Sequence, residues 1–270
     1  MVRSVAPGRP TDLSSSDATV MHRSPTPWLA GTALGLLVGH AAAQAPAACS
    51  ARSAAAIAPV VELYTSEGCS SCPPADRWIS GLKADASVLA FAFHVDYWDY
   101  IGWKDRFAHP VHSHRQGLQQ AVNGSRVRYT PQVVVNGQDR PDWPALAAPI
   151  AAPAGRALVD VGLVREGDRI TATVQPLAGA PARLAAWWAV TEHGHASTVR
   201  AGENDGERLR HDFVVREYRP VAAWPIQIGA ATTLQFTPGV PADPRHPRHV
   251  SLVVVDAGSG KPLQGVRLGC

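Results

Sequence analysis

Cys69 and Cys72 form the motif Cys69-Ser70-Ser71-Cys72, set between the apolar run Pro59-Val60-Val61-Glu62-Leu63-Tyr64 and Pro73-Pro74-Ala75-Asp76. A short apolar run bounded by turn residues reads as a buried strand. Proline is tolerated in the first turn of a helix, where the N–H groups have no intrahelical partner. The segment is therefore expected to fold as strand, C-x-x-C turn and helix, with the helix starting close to Cys72. The first sulfur then stands near a helix N-terminus, where unpaired N–H groups stabilise a thiolate. A single C-x-x-C admits three chemistries: a reversible redox pair, an inert disulfide, or half of a zinc site whose other ligands come from distant residues.

The neighbouring sequence continues an α/β alternation. Ala75 to Ala84 reads as a helix with Trp78, Ile79 and Leu82 on one face, and Val88 to Val95 as a strand buried on both sides, the mark of a parallel sheet. A second helix is expected between Phe107 and Val122, after Pro110. Pro131-Gln132-Val133-Val134-Val135 runs into Asn136-Gly137, a hairpin signal. Pro/Ala-rich sequence from Pro141 to Ala154 suggests one short helix and a linker. Beyond it the period changes. Residues 157–164, 170–174, 184–190, 211–215 and 249–255 read as short strands of an antiparallel sandwich of about 110 residues. Trp187 and Trp188, on opposite strand faces, read as one core and one surface aromatic.

The N-terminal segment has the pattern of a secretory signal. Met21-His22-Arg23 is basic, Trp28 to Gly39 is apolar, and Ala41-Ala42-Ala43 offers a cleavage site before Gln44. The apolar stretch falls short of the about 20 residues a membrane span needs, so no span is expected after cleavage. Met21 or Met1 can serve as the start. Export to the periplasm or beyond permits lasting disulfides. Cys49 lies just past the cleavage site and Cys270 ends the chain, and a Cys49–Cys270 staple is one possibility because domain termini often lie close together. Lipidation of Cys49 competes with it, since Pro46-Ala47-Ala48-Cys49 resembles a bacterial lipobox apart from Pro46; a free role for these thiols is the third. The formal net charge is +3, with both signs mixed along the chain and only the short Pro-broken run Arg245 to His249 locally basic. Nucleic acid is not an expected partner.

Four motifs carry a family resemblance. Glu62 to Asp76, Phe93 to Asp105, Tyr129-Thr130-Pro131-Gln132 and Gly202-Glu203-Asn204-Asp205-Gly206 resemble, in order, the signature of the DUF1223 family of secreted, thioredoxin-like proteins, and the likeness runs from about Val60 to Leu268. It implies an α/β thioredoxin-like domain followed by a C-terminal antiparallel β-sandwich-like region. The expected organisation is then leader and signal peptide over 1–43, linker over 44–58, thioredoxin-like domain over 59–154 and β-rich domain over 155–270. The resemblance also implies that Thr130-Pro131 is a cis peptide facing the cysteines, with the Thr130 backbone open to an extended substrate. An ordinary trans proline starting an edge strand is the alternative. Ser70-Ser71 stands where better-known thioredoxins have Gly-Pro, so no redox potential carries over.

In the redox reading Cys69 is the nucleophile and Cys72 the resolving thiol. Ser70 and Ser71 can donate hydrogen bonds to the thiolate, and Glu67 would oppose it if close. His94 and Asp96, on one face of a strand end beside Cys69, can carry a proton for Cys72, or can be a core histidine and a turn residue. Tyr97, Trp98, Tyr100 and Trp103 form an aromatic loop, either a lid or peptide-binding rim or local packing. His109, His112 and His114 lack the i, i+4 spacing of helical zinc pairs. The expected function is an exported thiol–disulfide oxidoreductase or redox sensor acting on a protein or small-molecule thiol or disulfide, with no cofactor and no metal. Its rival is a non-enzymatic envelope binding protein whose disulfide is structural or whose role is metal binding.

Overall fold

The computed structural model describes residues 49–146 and 148–270. The leader and signal expectation over 1–43 and the lipobox-like residues 46–48 lie outside them. Runs of β-branched and aromatic residues dominate the described chain and form fourteen strands against two α-helices. In chain order these are β1 (Cys49–Arg52), β2 (Val60–Thr65), α1 (Pro73–Gly81), β3 (Leu89–His94), α2 (Pro110–Val122), β4 (Gln132–Val135), β5 (Gln138–Asp139), β6 (Val159–Glu166), β7 (Arg169–Pro176) and β8 (Arg183–Glu192). They continue as β9 (His195–Thr198), β10 (Arg208–His211), β11 (Val214–Pro225), β12 (Thr232–Phe236), β13 (Arg248–Asp256) and β14 (Pro262–Leu268). Among the described residues no helix is long and apolar enough to cross a membrane.

The expectation of an α/β thioredoxin-like domain followed by an antiparallel sandwich is overturned by the sheet topology. Eight strands form one mixed sheet in the order β14-β13-β8-β11-β3-β2-β4-β5. The parallel β2–β3 pair lies inside it, and β11 joins β3 in parallel through the single pair Val214 and Ala92. A second, antiparallel sheet has the order β1-β6-β7-β12, and β9 and β10 form a separate ribbon. Strand assignment by period identifies which residues extend but holds no record of which distant strand fills a free edge. The edge of β3 is filled from about 120 residues downstream, which merges what read as two sheets.

Alternation along β2 and β3 builds two cores. Val61, Leu63, Ala90 and Ala92 face α1 with Ala75 and Ile79, while Val60, Tyr64, Phe91 and Phe93 face the α2 side with Trp187 and Tyr218. Small alanines on one face and aromatics on the other match a close helix and a deeper layer. A third core fills the space between β6, β7 and β12 and the β8-β13-β14 half of the large sheet, with Leu163, Ile170, Trp188 and Leu252 at its centre. Both Trp187 and Trp188 are consequently buried, contrary to the reading of one as a surface residue. Each face of β8 is covered, Trp187 meeting Phe91 edge-on at 4.7 Å and Trp188 stacking on Phe236 at 5.1 Å.

Two local features correct or refine the strand pattern. Asn136 and Gly137 take φ of 53° and 81°, joining β4 to β5 in the tight hairpin that Asn-Gly favours. The strand read at 211–215 is broken at Phe213, whose φ is 56°. The break sends His211 into the β9–β10 ribbon and Val214 into the large sheet. Cys49 and Cys270 are disulfide-bonded across 221 residues, tying β1 to the chain's end. A bridge closing so long a loop contributes roughly 2–5 kcal/mol.

The α2 side of the sheet carries a buried ion pair. Arg115 Nε and Nη2 donate to Glu62 Oε2 and Oε1, both at 2.7 Å, and Nη1 donates to the Tyr218 hydroxyl at 3.1 Å. The guanidinium lies 4.2 Å from the Trp187 ring centroid. Tyr64 donates a further hydrogen bond to Glu62 at 2.6 Å. Removing one partner strands the other charge in the core, so Arg115→Met is expected to lower the unfolding free energy by about 3–5 kcal/mol. Glu62→Leu/Arg115→Met should recover part of that loss, as read from paired urea denaturation curves.

Candidate functional site

The chain leaves β2 at Thr65 and turns through Ser66, Glu67 and Gly68 before Cys69. Cys69 N–H donates to the Ser66 carbonyl at 3.2 Å and Gly68 N–H to Ser66 Oγ at 3.1 Å, which fixes the turn. Gly68 is needed because a Cβ there would stand 3.1 Å from the Trp98 Cβ and 3.3 Å from Ile101 Cδ1. Cys69 and Cys72 are disulfide-bonded with Cα atoms 5.4 Å apart, and Cys72 is the N-cap of α1. Pro73 and Pro74 occupy its first two positions. They start the helix well but carry no N–H, so two of the donors expected near a Cys69 thiolate are missing. Ser71 Oγ, 3.4 Å from Cys69 Sγ, is a side-chain donor in their place.

Both sulfurs are buried, at 1% and 0% exposure, while Ser70 and Ser71 are exposed. The cover comes from two loops. Asn204 Nδ2 donates to the carbonyls of Glu67 at 2.8 Å and Cys69 at 3.0 Å, and Glu203 Oε2 accepts from Ser70 N–H at 3.0 Å. On the other side the Thr130–Pro131 bond is cis, and the Thr130 carbonyl lies 3.5 Å from Ser71 Oγ. Trp98 Nε1 donates to Thr130 Oγ1 at 2.8 Å. The aromatic loop thus divides, with Trp98 and Trp103 used in hydrogen bonds and Tyr100 82% exposed.

Beneath the cysteines lies a buried polar network. Asp76, on the first turn of α1, accepts from Thr65 Oγ1 at 3.2 Å and lies 3.8 Å from His211 Nδ1. His211 Nε2 stands 3.2 Å from Glu67 Oε1, off the line of an ideal hydrogen bond, and Trp103 Nε1 donates to Glu67 Oε2 at 2.8 Å. Glu67 N–H donates to Asp105 Oδ2 at 2.9 Å, and the same oxygen pairs with His94 Nδ1 at 2.6 Å. Burial pushes the Asp76 carboxyl up to about 7, with His211 and Thr65 pulling the other way. Burial also raises Asp105, yet the adjacent His94 outweighs it and holds this carboxyl at about 2. Asp105 is therefore ionised. Glu67 is raised by burial but brought below its ordinary value by His211, Ser197 and Trp103.

His94 and Asp96 do not share a face beside Cys69. His94 ends β3 inside the network, whereas Asp96 lies past the strand and accepts from Ser113 Oγ of α2. His109 caps α2 by accepting from Val111 N–H, His112 donates to the His94 carbonyl at 2.9 Å, and His114 is exposed. Among the described residues no group of three or more His, Cys, Asp or Glu side chains is placed to hold a metal ion. At the chain's end, the Cys49 sulfur is committed to Cys270, and a sulfur in a disulfide cannot also carry a thioether-linked lipid.

Sequence reading passed over Asp76, His211 and Asn204. Asp76 stands in the first turn of α1, and the downstream strand β10 packs on that helix. In Arg208-Leu209-Arg210-His211 the alternation of exposed and buried residues does mark His211 as inward-facing. Asn204 lies within the Gly202 to Gly206 motif, whose distance from the cysteines in sequence hides its place above them.

The chain matches the family described as protein of unknown function (DUF1223) over residues 60–255, and it belongs to that family. A crystal structure of an Agrobacterium tumefaciens protein resembles it with a TM-score of 0.57 and 24% identity, over 80% of this chain and 96% of the other. HBP35 of Porphyromonas gingivalis aligns with a TM-score of 0.54 and 18% identity, over 80% of this chain and 76% of its own. These likenesses concern the fold. No curated protein matches the chain.

Asp76 gives the site a pH signature. The ordinary aspartate value is 3.8 and the folded one about 7, so its contribution to stability is full below pH 4. Between pH 4 and 7 the unfolded chain releases this proton while the folded chain keeps it, and stability falls as pH rises. The difference corresponds to roughly 4 kcal/mol. Asp76→Asn has no such proton, so its stability relative to wild type is expected to rise by roughly 3–4 kcal/mol from pH 4 to 7.5 in urea denaturation. Parallel pH profiles for the two proteins would show that Asp76 titrates as an ordinary aspartate.

Proposed function

We propose that this member of the DUF1223 family is an exported thiol–disulfide oxidoreductase, or a redox sensor of the same chemistry, with Cys69–Cys72 as the exchanging bridge. The observation that carries the proposal is a C-x-x-C disulfide at a helix N-terminus, backed by a buried carboxyl poised near neutrality. Reducing the bridge adds two electrons and, near neutral pH, up to two protons, and Asp76 is a buried group able to exchange one of them. Cys69, next to the exposed Ser70 and Ser71, is the entering nucleophile, and Cys72 resolves the mixed disulfide. Export is supported by the signal-like segment before Gln44 and by two disulfides, which persist in an oxidising compartment.

The missing N–H groups of Pro73 and Pro74 give the poise a direction. Fewer donors stabilise the Cys69 thiolate, so the reduced form gains less than in a strong oxidant. A second reading is favoured by the burial of both sulfurs. In it the bridge is permanent and the protein is a non-enzymatic envelope binding protein, the exposed Tyr100 being part of its contact surface.

The measurement that separates them is the reduction potential together with turnover. The proposal expects a potential nearer about −270 mV than −120 mV and thiol-dependent turnover of a disulfide probe. Turnover should vanish in Cys69→Ser/Cys72→Ser. A potential below about −300 mV with no turnover of any dithiol or disulfide probe would establish the permanent bridge instead.

A further inference from the structure

A cleft of about 460 Å³ opens beside the cysteine turn, between the start of α1 and the ribbon strand β10. Ser70, Pro73, Pro74 and Arg77 form one wall, and Glu203, Asp205 and Glu207 with Arg208 and Arg210 form the other. Its volume is within the range of small-molecule sites. Arg208 and Arg210 are two apart on a strand whose intervening Leu209 is buried, so both project from the same exposed face, about 6.6 Å apart along the strand. Arg77 projects from α1 nearby. None of these three guanidiniums has an ion-pair partner among the described residues.

The cleft carries three positive and three exposed negative side chains on a short perimeter, with the buried Asp76 also in its lining. Such a lining is suited to a ligand that bears both ammonium and carboxylate groups, because guanidiniums bind carboxylates in pairs of parallel hydrogen bonds. The protein already shows a carboxylate at the cysteine turn, since Glu203 accepts from Ser70 N–H.

We infer that the cleft binds a low-molecular-weight, zwitterionic thiol or disulfide of the amino-acid or short-peptide kind, as the exchange partner of Cys69–Cys72. The inference rests on the redox reading above and names its substrate class. In the oxidising direction, the Cys69 thiolate attacks one sulfur of RSSR, forming a Cys69–SR bond and releasing RS⁻, which takes up a proton. Cys72, deprotonated, attacks the Cys69 sulfur, re-forms the bridge and releases the second RS⁻, protonated to RSH. The dithiol loses two electrons and two protons, and RSSR gains them as two RSH. Two equivalents of RSH drive the reverse.

The test compares glutathione disulfide with the uncharged hydroxyethyl disulfide as oxidants of the reduced protein, followed by alkylation of the remaining thiols. Arg208→Ala/Arg210→Ala is expected to slow the reaction with glutathione disulfide about tenfold and to leave that with hydroxyethyl disulfide within about twofold. Arg77→Ala, on the opposite wall, should show the same selectivity. Equal losses with both probes, or no loss with glutathione disulfide, would overturn the substrate assignment while leaving the redox reading standing, as would a preference confined to protein disulfides. S-methylglutathione, which cannot exchange, provides a readout free of turnover. It should bind the oxidised wild type and lose about tenfold in affinity in the double variant; absence of binding counts against the cleft. Absence of reaction with both probes and with a protein disulfide removes the redox reading, and the exchange-partner assignment falls with it.

Discussion

The Glu62–Arg115 pair is the interaction on which the rest of the molecule turns. Two charges taken from water cost several kcal/mol each, and only near-complete hydrogen bonding and mutual attraction offset that. Glu62 receives both arms of Arg115 together with Tyr64. The box is completed by Trp187 of β8 and Tyr218 of β11, both from the downstream half of the chain. The pair therefore ties the upstream strand β2 and helix α2 to the downstream strands β8 and β11 within the eight-stranded sheet.

The same dependence reaches the cysteine turn. Strand β2 carries Glu62 and, a few residues on, delivers Glu67 and Cys69. His211, which meets Glu67 and Asp76, and Asn204, which holds the turn's carbonyls, come from around the β9–β10 ribbon. A cysteine pair on an isolated strand-turn-helix would face water. Here the distant loop seals it and removes Asp76 from solvent, and that desolvation, more than any single neighbour, sets the carboxyl near neutrality.

Local structure was largely legible in the sequence, because it depends on local rules. The apolar run before Cys69 gave β2, Pro73-Pro74 marked the start of α1, and Asn136-Gly137 marked the hairpin. Pairing was not legible. The period of Val88 to Val95 says the strand is buried on both faces but is silent on which strand lies at its edge, and the thioredoxin-like reading fails at that step. Trp187 and Trp188 show the same limit, since alternation predicts opposite faces correctly yet cannot tell that both faces are covered. At the site, residues adjacent to the cysteines could be named from spacing. The buried acid and its histidine could not, because their burial is created by a contact between α1 and a ribbon more than 120 residues away.

The two prolines after Cys72 and the buried Asp76 are best understood together. A C-x-x-C at a helix start ordinarily gains its thiolate from backbone N–H groups and the helix dipole. Replacing the first two helical residues by proline removes those donors while keeping the helix geometry. On the proposed redox reading, stabilisation of a Cys69 thiolate then falls to Ser71 and to the dipole, and a reduced pair would hold its protons more firmly. A pair that keeps its protons needs a group to remove one when Cys72 resolves a mixed disulfide. On the same redox reading, a carboxyl near 7, buried four residues after Cys72, would meet that need at neutral pH, whereas an ordinary solvent-exposed aspartate would be too weak a base. On that reading the loss of backbone donors and the gain of a tuned acid are two halves of one arrangement, which would shift control of the exchange from a fixed dipole to a proton on Asp76.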